Sequence, residues 1–156
     1  MGKKTGIFSM LLLAATVSFA DMPKSGVIKW HTGWQFSVPN SLSISEGHMM
    51  AIGMAKGYGF GDSNPQDKGS ANCFGAFEIV GGEGSFIGFC SFELGEKDKD
   101  LIFSQFTGSP IKNEGTNVIT GGTGKYKGIT GQGTWKCEGG KNSESACQQT
   151  LNYKLP

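Results

Sequence analysis

The 156-residue chain contains no arginine. Arginine is the side chain best fitted to grip phosphate or guanine through paired hydrogen bonds. Its absence, with a formal net charge of +1, speaks against nucleic acid as a partner. Histidine is nearly as scarce. His31 and His48 stand far from each other and bear no ligand spacing to any cysteine, and no C-x-x-C pair occurs, so no metal and no cofactor is expected. The five prolines follow no Gly-X-Y period, which excludes a collagen repeat. Charged residues make up only 17% of the chain, too few for a coiled coil or helical bundle. No G-x-S-x-G elbow is present, so nucleophilic hydrolase chemistry of that kind has no footing. What the chain does hold is glycine (26 residues), eleven phenylalanines, three tryptophans and four cysteines.

The N-terminus has its own character. Lys3 and Lys4 precede an apolar stretch from Ile7 to Val17, and Ser18-Phe19-Ala20 offers small residues at the −3 and −1 positions of a cleavage site. This pattern predicts a signal peptide over residues 1–20 and a single domain over 21–156. The apolar run is short for a bilayer and no second one follows, so no membrane span is expected after cleavage. No cysteine follows the cleavage site, as a lipoprotein would require. The mature chain carries twelve lysines against thirteen acids, a net charge of −1. A periplasmic or secreted location follows, and in that oxidising setting Cys73, Cys90, Cys137 and Cys147 are expected to form two disulfides.

Period-two patterning predicts strands throughout. Ile28, Trp30, Trp34, Phe36 and Val38 alternate with Lys29, His31, Gln35 and Ser37, and Pro39-Asn40-Ser41 is expected to end that strand. A second run places Met50, Ile52, Met54, Tyr58 and Phe60 on one face and Ala51, Gly53, Ala55, Gly57, Gly59 and Gly61 on the other. Further strands are expected at 73–80, 85–94, 101–107, 116–120, 129–137 and 147–154. Polar loops are expected at 61–69, 96–100 and 138–146. Eight short strands without a helix predict an all-β fold, an eight-stranded antiparallel β-barrel, with a sandwich as its rival. The hairpin joining the third and fourth strands brings Cys73 close to Cys90. Cys137 and Cys147 bracket the loop between the last two strands. The expected pairs are therefore Cys73–Cys90 and Cys137–Cys147, both hairpin-associated.

The segment Ile119-Thr120-Gly121-Gly122-Thr123-Gly124-Lys125-Tyr126-Lys127-Gly128-Ile129-Thr130-Gly131-Gln132-Gly133-Thr134 resembles the G-G-T-G-x-[FY]-x-G-x-x-G signature of plant allene oxide cyclases, dirigent proteins and small exported bacterial relatives. The resemblance covers some 16 residues and extends loosely back through Phe89-Cys90-Ser91-Phe92. It implies an eight-stranded barrel in which the signature links two late strands, a cavity that shapes an apolar substrate, and a trimeric homo-oligomer. Read for its residues alone, the segment is an elaborate turn. Its glycines fit neither a phosphate loop nor a dinucleotide fingerprint.

The aromatic and methionine content either fills a barrel or lines a pocket. The leading expectation is a protein that binds a small hydrophobic or aromatic molecule without catalysis, with Trp30, Trp34, Met50, Ile52, Met54, Tyr58 and Phe60 lining the pocket. A cyclase- or dirigent-like enzyme is the alternative that the resemblance implies, and a secreted structural or interaction protein with a filled barrel is the other. Glu78, Glu93 and His31 are read as outer-face residues, and no catalytic residue is assigned.

Overall fold

The computed structural model describes residues 23–61, 68–94, 100–139 and 143–156. The expected signal peptide lies outside the described residues, as do most of the first two expected loops; of the third only 140–142 do, and its ends belong to strands. Eight strands follow one another: β1 (Ser25–Ser45), β2 (His48–Gly61), β3 (Lys68–Val80), β4 (Glu83–Leu94), β5 (Leu101–Ser109), β6 (Glu114–Gly122), β7 (Thr130–Gly139) and β8 (Glu144–Lys154). Each pairs antiparallel with the next, and β8 pairs back onto β1, which closes the barrel. Closure gives every strand a partner on both sides, and the all-β barrel expected from the pattern is the fold observed.

The strands exceed their expected lengths at several ends. β1 does not stop at Pro39. It runs on to Ser45, with a shift in its register to β2 between Ser37 and Asn40. Proline lacks the N–H that a ladder needs and is tolerated at a bulge or beside an open edge. Both conditions hold here, because β8 accompanies β1 only as far as Gln35. Beyond that point β1 stays paired with β2, which is itself paired with β3 as far as His48 and Val80.

Turn chemistry sets the register of the β3–β4 hairpin. Gly81 and Gly82 both take positive φ, at 59° and 84°, and close a two-residue turn between Val80 and Glu83. Two consecutive positive φ values define the hairpin turn whose twist matches that of the strands. The consequence is that Cys73 stands directly opposite Cys90, and the two form a disulfide. Cys137 and Cys147 face each other across β7 and β8 and form the second. Both pairings match the sequence expectation, and two disulfides are consistent with an oxidising extracellular compartment.

One end of the barrel is packed solid. Trp30, Phe92, Ile102, Ile119, Ile129, Leu151 and Tyr153 converge there. The Trp30 and Phe92 rings lie 5.5 Å apart and those of Phe92 and Phe106 6.0 Å apart. Such pairs add about 0.5–1.5 kcal/mol beyond the area they bury. The glycine-rich signature caps this end. It forms a 3-10 turn at Gly124–Tyr126 that inserts the Tyr126 ring, 4% exposed, beneath the chain. Thr123 accepts the Tyr126 N–H at 2.8 Å, and the Asp100 carboxylate accepts the Lys125 N–H at 3.1 Å. Gly124 has φ 50° and lies against Asp100, so a side chain there would meet both strain and collision. The segment forms a turn, as its residues alone suggested.

Candidate functional site

The other end of the barrel is open. A cavity of about 390 Å3 enters between the C-terminal part of β1 and the N-terminal part of β8. Its volume falls within the range of small-molecule sites. Trp34, Phe36, Phe77, Phe86, Phe106 and Trp135 supply its aromatic wall, and both disulfides border it. Strand alternation places each of these groups inward, and the register then groups them. Phe36 faces Ala55, which faces Cys73, which faces Cys90, and residues directly opposite one another in an antiparallel pair share a face. The Phe86 and Trp135 rings meet at 5.4 Å across the lumen wall.

The indole nitrogens of the wall are engaged by the protein itself. Trp34 Nε1 donates to Thr32 Oγ1 at 2.7 Å, and Trp135 Nε1 donates to the Thr116 carbonyl at 3.2 Å. The mouth is more polar, with Ser37, Asn113, Ser143 and Glu144 all exposed. Asn113 and Ser143 have φ of 54° and 64°, and their carbonyls accept the Cys137 and Phe36 N–H groups, each at 2.8 Å. Two left-handed residues thus anchor the rim to β7 and β1. Among the described residues, no group of three or more His, Cys, Asp or Glu side chains is placed to hold a metal ion.

The residues singled out from sequence scatter over three regions. Trp34 lines the cavity. Trp30 is buried in the packed end, against Phe92. β2 reverses the expected facing: Met50, Ile52 and Tyr58 point outward, and Met54, 51% exposed, borders the cavity from an outward strand position, as does its β3 partner Phe74. The side chain of Phe60 lies outside the described residues. The small face of β2 is the inner one, with Ala51 and Ala55 buried. The reason is steric. A Cβ on Gly57 would lie 2.6 Å from the Trp34 ring, so the indoles of β1 already occupy the space that large β2 side chains would need. Phe36, Phe77, Phe86, Phe106 and Trp135 were not among the residues assigned to the pocket from sequence. Cysteine is among the most consistently buried residues. Placing Cys73 and Cys90 inward would have carried the parity to Phe77 and Phe86 and turned Met54 outward.

The remaining candidates lie on the outer face. His48 Nε2 meets Glu78 Oε1 at 2.8 Å near the hairpin end, and Glu93 and His31 alternate with the inward Phe92 and Trp30. The outer wall is itself divided. On β2 to β4, Met54, Phe74 and Phe89 stand side by side, with the two phenylalanine rings 5.7 Å apart. On β6 to β8 the outward positions hold Thr116, Thr134, Lys136, Gln148 and Thr150.

No protein-family model matches the chain, and no curated protein matches it in sequence. Its fold does have solved relatives. One pterocarpan synthase dirigent protein superposes with a TM-score of 0.55 at 10% identity, covering 97% of this chain and all of that one. A second gives 0.51 at 13% identity, over 86% of this chain and 97% of that one. A pyocyanin demethylase aligns at 0.46 with 15% identity, over 77% of this chain and 98% of the other. The chain therefore has a dirigent-like barrel fold.

Proposed function

We propose that this chain is an exported binding protein that holds a small hydrophobic or aromatic molecule in the open half of its barrel. The observation that carries the reading is the cavity of about 390 Å3 lined by seven aromatic residues, six of them at inward strand positions. Rigid, preformed apolar walls favour an apolar occupant without large reordering. Among the described lining residues, Glu144 at the exposed mouth is the one with an ionisable side chain, which supports holding over acid–base chemistry. The second reading, a cyclase- or dirigent-like enzyme in the wider group that includes allene oxide cyclases, rests on the shared barrel and the glycine signature.

A cavity-filling substitution tests the reading. Gly53 lies on the inner face of β2 with Phe77 Cε1 3.6 Å from where a Cβ would sit, so a larger side chain has room to enter the cavity. N-phenyl-1-naphthylamine, a neutral apolar probe, should brighten with the native chain and not with Gly53→Leu. Equal brightening with both overturns the site.

Export through residues 1–20 belongs to the same proposal, and the two disulfides support it. The intact mass of secreted protein should begin at Asp21 and fall about 4 Da below the fully reduced value, two hydrogens being lost per disulfide. The apolar stripe of β2 to β4 supports a homo-oligomer, as the resemblance implies, because exposed apolar surface of that kind marks association sites. Sedimentation of the native chain against Met54→Ser/Phe74→Ser should show the variant as the smaller species.

A further inference from the structure

The cavity reading leaves open which apolar molecules fit, and the wall beneath it addresses that question. Between the cavity and the packed end lies a belt of buried polar side chains: Thr32 on β1, Ser104 on β5, Asn117 on β6 and Gln149 on β8, each 1–4% exposed. Gln149 belongs both to this belt and to the cavity wall. Its Nε2 donates to Thr32 Oγ1 at 3.3 Å. The same Thr32 oxygen accepts Trp34 Nε1 at 2.7 Å and directs its own proton to the Cys147 carbonyl at 3.4 Å. A hydroxyl has one proton and two lone pairs, so Thr32 is fully engaged. That fixes the Gln149 amide with its NH2 group toward Thr32. Its Oε1 is left shielded from solvent and without a partner among the described residues.

We propose that Gln149 Oε1 is the docking point for a hydrogen-bond donor on the bound molecule. The inference rests on the cavity reading and adds a selection rule to it. The site takes an uncharged, largely aromatic or apolar molecule bearing one N–H or hydroxyl, and it rejects carboxylates. Three observations support the rule. The indole N–H groups of the wall are engaged elsewhere, and the other belt atoms without a partner, Ser104 Oγ and Asn117 Nδ2 and Oδ1, belong to residues outside the cavity lining, so among the described lining residues the buried unpartnered polar atom is the Gln149 acceptor. A carboxylate at the same place would set oxygen against oxygen, and the described lining residues include no lysine or histidine to neutralise it. Glu144 at the mouth adds charge of the same sign. A buried acceptor without a partner is unfavourable, and a donor that reaches it relieves that cost.

Calorimetric titration of the native chain with indole, 1-methylindole and 1-methylindole-2-carboxylate tests the rule, because the first two differ chiefly in the donor. Indole should bind about threefold to tenfold more tightly than 1-methylindole, the range of one net hydrogen bond, and the carboxylate should bind most weakly. Gln149→Met keeps the length of the side chain and removes the acceptor. It should erase the preference for indole, so that indole and 1-methylindole bind the variant equally. Equal affinities for indole and 1-methylindole in the native chain overturn the proposal while leaving the cavity reading intact. A preference that survives in Gln149→Met overturns it as well. Failure of both neutral probes to bind overturns the cavity reading itself. The native-chain ratio decides the matter even should Gln149→Met fail to fold.

Discussion

The two ends of the barrel are built from the same alternating strands and come to opposite results. At the capped end Ile129 is 1% exposed, with the packed rings of Trp30 and Phe92 and the inserted Tyr126 sharing its core. At the open end Phe36 remains 41% exposed, although it too occupies an inward position of its strand. The difference lies in what covers each end. The signature turn between β6 and β7 folds across the capped end. Beyond the open end, β1 continues past its β8 partner and the cavity enters beside it. Deeper in the same cavity wall Trp34, Phe106 and Trp135 are buried, so an inward position stays exposed only near the uncovered rim.

That division can be broken most directly by truncating matched aromatics. Phe92→Ala should cost about 3–5 kcal/mol, the range for deleting a fully buried phenylalanine, read as a drop in denaturant midpoint. Phe77→Ala, at the cavity, should cost much less and should weaken the binding of N-phenyl-1-naphthylamine. Comparable stability losses at both positions would mean that the open end is packed as tightly as the capped one.

The disulfides come next in size. Replacing Cys73 and Cys90 by alanine should lower stability by roughly 3 kcal/mol, and the Cys137/Cys147 pair slightly less, in keeping with sequence separations of 17 and 10 residues. Both bridges border the cavity, so hydrogen exchange should rise at the open end first and leave the capped end protected.

Gly57→Ala sharpens the steric account of β2. Its new methyl would press on the Trp34 ring and should cost about 1–3 kcal/mol, with a shift in tryptophan emission. A neutral effect would remove the reason given for the reversed facing of that strand.

The smallest effect belongs to Tyr153 at the capped end, whose pKa burial raises above its ordinary value. Its folded-state proton is held more tightly than in the unfolded chain, so its contribution is complete below about pH 10 and falls as pH rises through the folded value. Tyr153→Phe should flatten the alkaline side of the stability profile while leaving neutral pH nearly unchanged, apart from the hydrogen bond to the Pro23 carbonyl at 3.2 Å.

Much of the molecule was legible in one dimension. The alternation from Ile28 to Phe36 marked β1, the break between the strands expected at 73–80 and 85–94 marked a hairpin, and cysteine positions on neighbouring strands identified both bridges. Pro39 misled, because a proline ends a strand only where both edges of that strand need donors. The β2 facing misled for a deeper reason. Alternation separates two faces of a strand but carries no label for the inner one.

The amino-acid order alone determined the number of strands, their antiparallel succession and the pairing of the cysteines, because turns and period-two patterning act over neighbouring residues. Only the closed barrel decided which face of β2 looks inward, which end is sealed and where an acceptor stays unpaired. Those outcomes depend on a lumen of finite volume shared by eight strands, and a side chain enters it only where its neighbours across the ring leave room.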